Sequence, residues 1–414
     1  MRHLAFVAPR FLENTNRYVA AFAKIPGLRV SLISEEPETS IPRVLRPYIA
    51  GHYRVGHCLD GAQLTEALGA IQRGVGPVDR LTGTLEQLQV PMAIARDAVG
   101  VPGMGAAVAR AFRDKDRMKE VLREHGVAVA KSELVHSVEE LNGFIKRVGL
   151  PIILKPQAGL GSRSTYRVTS EKDLLAILQS GLVPTRQEPL QAEEFVRARE
   201  FTCETVTIQG KPVWSSGTRY FPTPLEVLEN AWMQYCVLLP LEQEDPTWTN
   251  FHPTNHAALS ALFGDSRMTS GTALSHMEWF LKDDGSMLVS EVGARPPGVH
   301  IMPMMSLAHE TNMIDDWAEL IAFDRFRAKP RQWGCGAAFF RGQGSGARVV
   351  EVTGVDAALE KVGHLIHDAR IPKVGQPRAE GYEGEGFAIV RCKSTENVKK
   401  ALMILIEGIQ VRYG

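Results

Sequence analysis

Cysteine is scarce in this chain, and the five present (Cys58, Cys203, Cys236, Cys335 and Cys392) are scattered. No pair has C-x-x-C or other metal-ligand spacing, which argues against a zinc site or a disulfide framework. They read as reduced, packed thiols of a cytoplasmic protein. Neither sign of charge is in excess, with 47 Lys and Arg against 47 Asp and Glu. A nucleic-acid partner would call for a basic surplus, so none is expected. No run approaches the ~20 apolar residues that span a bilayer. The opening MRHLAFVAPRFLENTNR also lacks the apolar stretch of a secretion signal, so no membrane partner is expected. Internal repeats and low-complexity segments are absent as well.

Two common nucleotide signatures are missing. No G-x-G-x-x-G follows the first apolar segment, which argues against a dinucleotide site there. The string GMGAAV from Gly103 lacks the third small residue and reads as a loop before a helix. No G-K-[ST] closes a glycine loop, so a Walker site is absent. What is present is an alternation of strands and helices over 414 residues, long enough for two or three domains. HLAFVA from His3 and LRVSLIS from Leu28 read as strands of an open parallel α/β sheet. In RDKDRMKEVLREHG, the residues Met118, Val121, Leu122 and His125 recur at helical spacing, with Gly126 as the stop. Ser137 with Glu140, and Ser170 with Asp173, mark two further helix starts. After about Pro330 the composition shifts to a smaller α+β segment.

The first chemical signal is Lys155, which ends the apolar strand PIILKP and precedes a glycine turn holding Gly159, Gly161 and Ser162. An ammonium beside mobile backbone N–H groups suits phosphate oxygens, although a plain glycine-rich hairpin turn reads equally well. The second signal is sharper. In GTALSHMEWFLKDDGSMLVSEVGARPPG, two strands flank a turn at Asp284–Gly285. Glu278 and Glu291 lie almost equally far from that turn, so they face each other across the hairpin or miss by one residue. Period-2 alternation puts His276 with Glu278 on one face, and Glu291, Gly293 and Arg295 on one face of the partner. Carboxylates ~4 Å apart repel by about 4 kcal/mol at an effective dielectric of about 20, so a bridging cation is expected. The set suits magnesium carried on a polyphosphate. His276 reads equally as a packed strand histidine.

The order and spacing of these pieces resemble the ATP-grasp superfamily, in its carboxylate–amine ligase branch. The resemblance implies an ATP-grasp fold of mixed α/β and α+β class. It implies an open parallel α/β domain over 1–110 and two α+β subdomains gripping ATP over 111–325. An α+β domain over 326–414 would close the site. Lys115 matches the lysine on the α-phosphate, and Lys155 with Gly159, Gly161 and Ser162 matches the second lysine and its loop. EEFVRAREFT has the look of the adenine hinge. There Glu193 would accept from the adenine amino group, the backbone of Glu194, Phe195 and Val196 would meet the ring, and Glu200 would hold the ribose. Glu278 and Glu291 fall at the metal positions, and Arg295 at the arginine that steadies the transferred phosphate. One position departs: the usual E-x-N is here Glu291, Val292, Gly293, which removes a ligand to one metal ion. HMEW resembles the L-amino-acid ligases and points to amino acids as substrates.

The resemblance thus implies ATP with Mg2+ or Mn2+, and small-molecule carboxylate and amine substrates. A carboxylate would take the γ-phosphate, and an amine would displace phosphate from the resulting acyl phosphate, with Lys155, His276 and Arg295 as the catalytic set. Two other readings stay open: an enzyme using bicarbonate or formate through the same chemistry, and a nucleotide-binding module without catalysis. A homodimer is the default oligomeric expectation.

Overall fold

The computed structural model describes every residue except 157–164, 231, 243–244, 265–270, 380 and 382. The turn containing Gly159, Gly161 and Ser162 therefore lies outside the described residues. At the amino terminus a four-stranded parallel sheet runs in the order Ile49–Arg54, Leu28–Ser34, Arg2–Val7, Arg80–Thr82. Parallel strands covered on both faces need near-continuous apolar sequence. Leu4, Ala5, Phe6 and Val7 supply it, all buried. Helices Glu13–Ala23 and Gly61–Gly74 lie between the strands in sequence, as the βαβ reading required.

A second, antiparallel sheet runs Ser132–Val135, Leu190–Glu194, Ile152–Pro156, Tyr166–Val168. Helices Val138–Val148 and Glu171–Gln179 cover it through Leu141, Phe144 and Leu174. Both start at the expected serines: Ser137 Oγ accepts from the Glu140 N–H and Ser170 Oγ from the Asp173 N–H, each at 3.2 Å.

The largest sheet has eight strands, in the order Met287–Gly293, Ala273–Leu281, Arg199–Ile208, Lys211–Phe221, Tyr235–Leu239, Gly334–Phe340, Gly386–Cys392, Ile366–Arg370. The boundary expected at 326 is thus no break in the sheet, because Gly334–Phe340 pairs directly with Tyr235–Leu239. The reason is burial on both faces. Ala337 and Phe339 pack in one core with Met304 and Met305, while Ala338 and Phe340 pack in another with Val398 and Leu402. Among the described residues no helix is long and apolar enough to cross a membrane. All five cysteines are free, four of them buried.

Candidate nucleotide and metal site

Glu278 and Glu291 are direct register partners across the hairpin Ala273–Leu281 and Met287–Gly293. The turn sets this only in part. Gly285, at φ +82°, takes the left-handed conformation that a tight reversal needs. From there Leu281 pairs with Met287 and Trp279 with Val289, and continuing that register would set Glu278 against Ser290. A bulge at Ser290 adds one residue and brings Glu291 opposite instead. The reverse face holds the hairpin in place. Met277, Trp279 and Val292 are fully buried there, with Trp279 stacked on Phe251 at 3.9 Å and on Phe201 at 4.8 Å.

Both carboxylates line a cavity of about 550 Å³, within the range of small-ligand sites. Lys115, Lys155, Glu193, Glu194, Phe195, Val196, Glu200, His276 and Arg295 line the same cavity, so every described residue expected at the site is brought together. Lys115 opens helix Lys115–Glu124, capped by the Asp114 carboxylate on the N–H groups of Asp116 and Arg117. Its Nζ lies 2.7 Å from Glu291 Oε1. One turn later on the same helix, Lys119 Nζ lies 2.6 Å from Glu193 Oε1, and Lys155 Nζ lies 2.8 Å from that same oxygen. Burial opposes the charge on Glu193, yet Lys119 and Lys155 outweigh it and hold the carboxyl at about 2. Burial likewise opposes charge on Lys155, but Glu193, Glu291 and Glu278 raise its ammonium above the ordinary value. Glu291 is held low, because Lys115 and Lys155 prevail over burial. On the neighbouring strand Arg199–Ile208, Glu200 is pushed well up, first by burial and then by Glu278 and Glu226.

The backbone hinge follows strand Leu190–Glu194. The Glu194 N–H donates to Lys131 O at 2.9 Å, and its carboxylate accepts from the Lys131 N–H at 2.8 Å. The Phe195 ring carries the Arg167 guanidinium 4.7 Å above it, and Arg167 is paired in turn with Glu229.

Three supporting carboxylate or ammonium groups escaped the sequence reading: Glu204, Glu86 and Lys119. Glu204 is fully buried and accepts from Thr202 Oγ1 and Thr218 Oγ1, both at 2.9 Å, and from His276 Nδ1 at 2.8 Å. The other ring nitrogen of His276 lies 3.7 Å from Glu278. Burial alone would lower this histidine, but its two carboxylates raise it to about 9 and keep it an imidazolium. Glu86, from the amino-terminal domain, accepts from Arg295 Nε at 3.2 Å and Nη2 at 3.0 Å, and so aims that guanidinium. A charge in the middle of the apolar strand FTCETVTI was a signal for Glu204, and the four-residue spacing from Lys115 was one for Lys119. Glu86 had none. Arg341, just after strand Gly334–Phe340, donates to the carbonyls of Val227, Asn230 and Met233 and so braces the cavity wall at Val227.

Glu278 and Glu291, opposed in register and both lining the cavity, are hard oxygen donors that would suit a divalent ion. Among the described residues no group of three or more His, Cys, Asp or Glu that could hold a metal is present, so such an ion would need its other ligands from outside the protein. At Gly293 a Cβ would meet nothing nearer than the Arg295 side chain at 3.6 Å, so space does not dictate glycine there.

Residues 114–199 match the family described as the carbamoyl-phosphate synthase L chain, ATP binding domain. An L-arginine-specific L-amino acid ligase of Bacillus subtilis is 26% identical over 235 residues, which is 56% of this chain and 54% of that one. D-alanine–D-alanine ligase A of Brucella suis is 31% identical over 136 residues, 32% of this chain and 35% of the relative. The chain thus spans about half or less of the curated relatives it matches. The crystal structure of an L-amino acid ligase from Bacillus licheniformis superposes with a TM-score of 0.75 at 17% identity, covering 100% of this chain and 99% of that one. N5-carboxyaminoimidazole ribonucleotide synthetase of Thermotoga maritima gives 0.68 at 16% identity, with both chains covered in full. The chain therefore has the ATP-grasp fold of these solved structures from end to end, and its residues 114–199 match an ATP-binding domain.

Proposed function

We propose that this protein is an ATP-dependent carboxylate–amine ligase of the cytoplasm that joins amino acids through an acyl phosphate. The observation that carries the reading is the Glu278–Glu291 pair, set opposite each other in one cavity with Lys115, Lys155 and Arg295. The matched relatives named as amino-acid ligases support amino acids as the substrate class. Lys115 and Lys155 bind the phosphates of ATP, while the 194–196 backbone and Glu200 receive adenine and ribose. Glu278 and Glu291 hold a magnesium ion, which when bound neutralises phosphate charge. The substrate carboxylate attacks the γ-phosphorus, the bond to the β-phosphate oxygen breaks, and ADP leaves. The amine then adds to the acyl carbonyl, phosphate departs and the amine gives up a proton. Arg295, aimed by Glu86, and the His276 imidazolium, held by Glu204, supply fixed positive charge where the transferred oxygens carry negative charge.

The test is ADP and phosphate release over a matrix of amino-acid pairs, with bicarbonate and formate as separate arms and product mass as the second readout. Release that depends on two amino acids and yields their condensed mass is the expected result. Release with bicarbonate or formate alone would replace this reading with a carboxylase or formyl-transfer one. ATP binding without turnover in every arm would leave a nucleotide-binding module.

A further inference from the structure

Beside the two lysines that line the cavity, Lys115 and Lys155, a third stands just behind its wall. Lys119 has 1% of its side chain exposed and does not line the cavity, whereas Glu193 and Lys155 do. Lysine is almost never buried this fully unless paired. Burial pulls its ammonium down to about 8 even with Glu193 beside it, so the position is electrostatically unfavourable and a methionine or leucine would pack at no such penalty. A structural ion pair for Glu193 needs one lysine, yet two ammoniums meet on the same oxygen, at 2.6 and 2.8 Å.

We infer that Lys119 is a positioning residue that neutralises Glu193 from behind, which leaves the Lys155 ammonium available to a polyphosphate in the cavity. This rests on the proposed nucleotide site. Lys115 and Lys119 stand one turn apart on one helix face, and each answers a different carboxylate: Glu291 for the first, Glu193 for the second. Lys115 and Lys155 both reach the cavity and both are tied to carboxylates that also line it. When a phosphate draws Lys155 away, Glu193 keeps Lys119 as its partner and stays neutral overall. Without Lys119, every phosphate contact by Lys155 would strip a buried carboxylate of its counter-charge and set it facing an anion.

Equilibrium binding of ATP and of adenosine to the full chain, without acceptor or donor substrate, tests this. The proteins are wild type, Lys119→Met, Glu193→Gln and the double variant. Lys119→Met should weaken ATP roughly tenfold or more and leave adenosine unchanged. Any loss of adenine contact in Glu193→Gln is shared by adenosine, so the ratio of ATP to adenosine affinity is compared: in Glu193→Gln it should be at least that of wild type, and in the double variant it should return to within about threefold of wild type. A Lys119→Met protein that binds ATP like wild type overturns the inference, as does a double variant as weak as the single one. If Lys119→Met does not fold, the comparison is Glu193→Gln against the double variant. Equal ATP affinities there support the role, and a further tenfold loss overturns it. Wild-type protein that binds no ATP would overturn the nucleotide reading itself, which separates that failure from this one.

Discussion

Replacing Glu291 by glutamine separates two roles that fall on one carboxylate. Its Oε1 meets Lys115 Nζ at 2.7 Å, and its backbone stands opposite Glu278 at the proposed metal seat. At that distance the gross attraction is about 6 kcal/mol at an effective dielectric of about 20, and desolvation removes most of it. Severing a fully buried pair costs about 3–5 kcal/mol. Here Glu291 keeps 29% of its side chain exposed and glutamine retains an acceptor oxygen for Lys115, so roughly 1–2 kcal/mol of stability should be lost. Urea unfolding measures that. The decisive readout is calorimetric ATP affinity with and without magnesium. With one carboxylate fewer, ATP alone should bind Glu291→Gln at least as tightly as wild type, while the gain on adding magnesium should shrink by roughly tenfold. A variant that keeps the full magnesium response, whatever its stability, would show that Glu291 is no metal ligand.

Glu204→Leu should cost about 3–5 kcal/mol in urea unfolding, because Thr202, Thr218 and His276 lose one shared buried acceptor. A change below about 1 kcal/mol would mean that the three donors find other partners. His309 gives a pH-dependent test. It is buried and donates through Nδ1 to Lys329 O at 2.9 Å, and burial, then Arg331, lowers it from 6.5 to about 4. The unfolded chain therefore takes up a proton below pH 6.5 that the folded one refuses. Stability from this group is complete above 6.5 and falls by about 3 kcal/mol as pH drops towards 4. Unfolding midpoints at pH 7 and 5 should differ more in wild type than in His309→Phe, and parallel behaviour of the two would refute the assignment.

Local signals carried the secondary elements and half of the site. Asp284–Gly285 declared a turn because only a few residues reverse a chain that tightly, and counting outward from it found Glu278 and Glu291. Lys155 was visible because a charge ends an apolar strand there. Ser137 and Ser170 marked helix starts because their hydroxyls satisfy N–H groups at the helix end. The register itself was open by one residue, and the bulge at Ser290 decided it. That the segment after 326 extends the central sheet was not legible, because a composition shift says nothing about which strand edge the next segment will join.

By itself the sequence determined which chemistry was available: two carboxylates about a turn, a lysine at a strand end, an arginine in phase with them, and no charge excess for a macromolecular anion. These are properties of spacing, and spacing survives in a linear string. Only the tertiary structure decided which charges meet. Glu86 reaches Arg295 across 209 residues, Glu204 reaches His276 across 72, and Lys119 turns inward to Glu193 rather than outward to solvent. Partners so far apart are chosen by how sheets and helices dock, and a buried charge is held only where docking brings it a counter-charge.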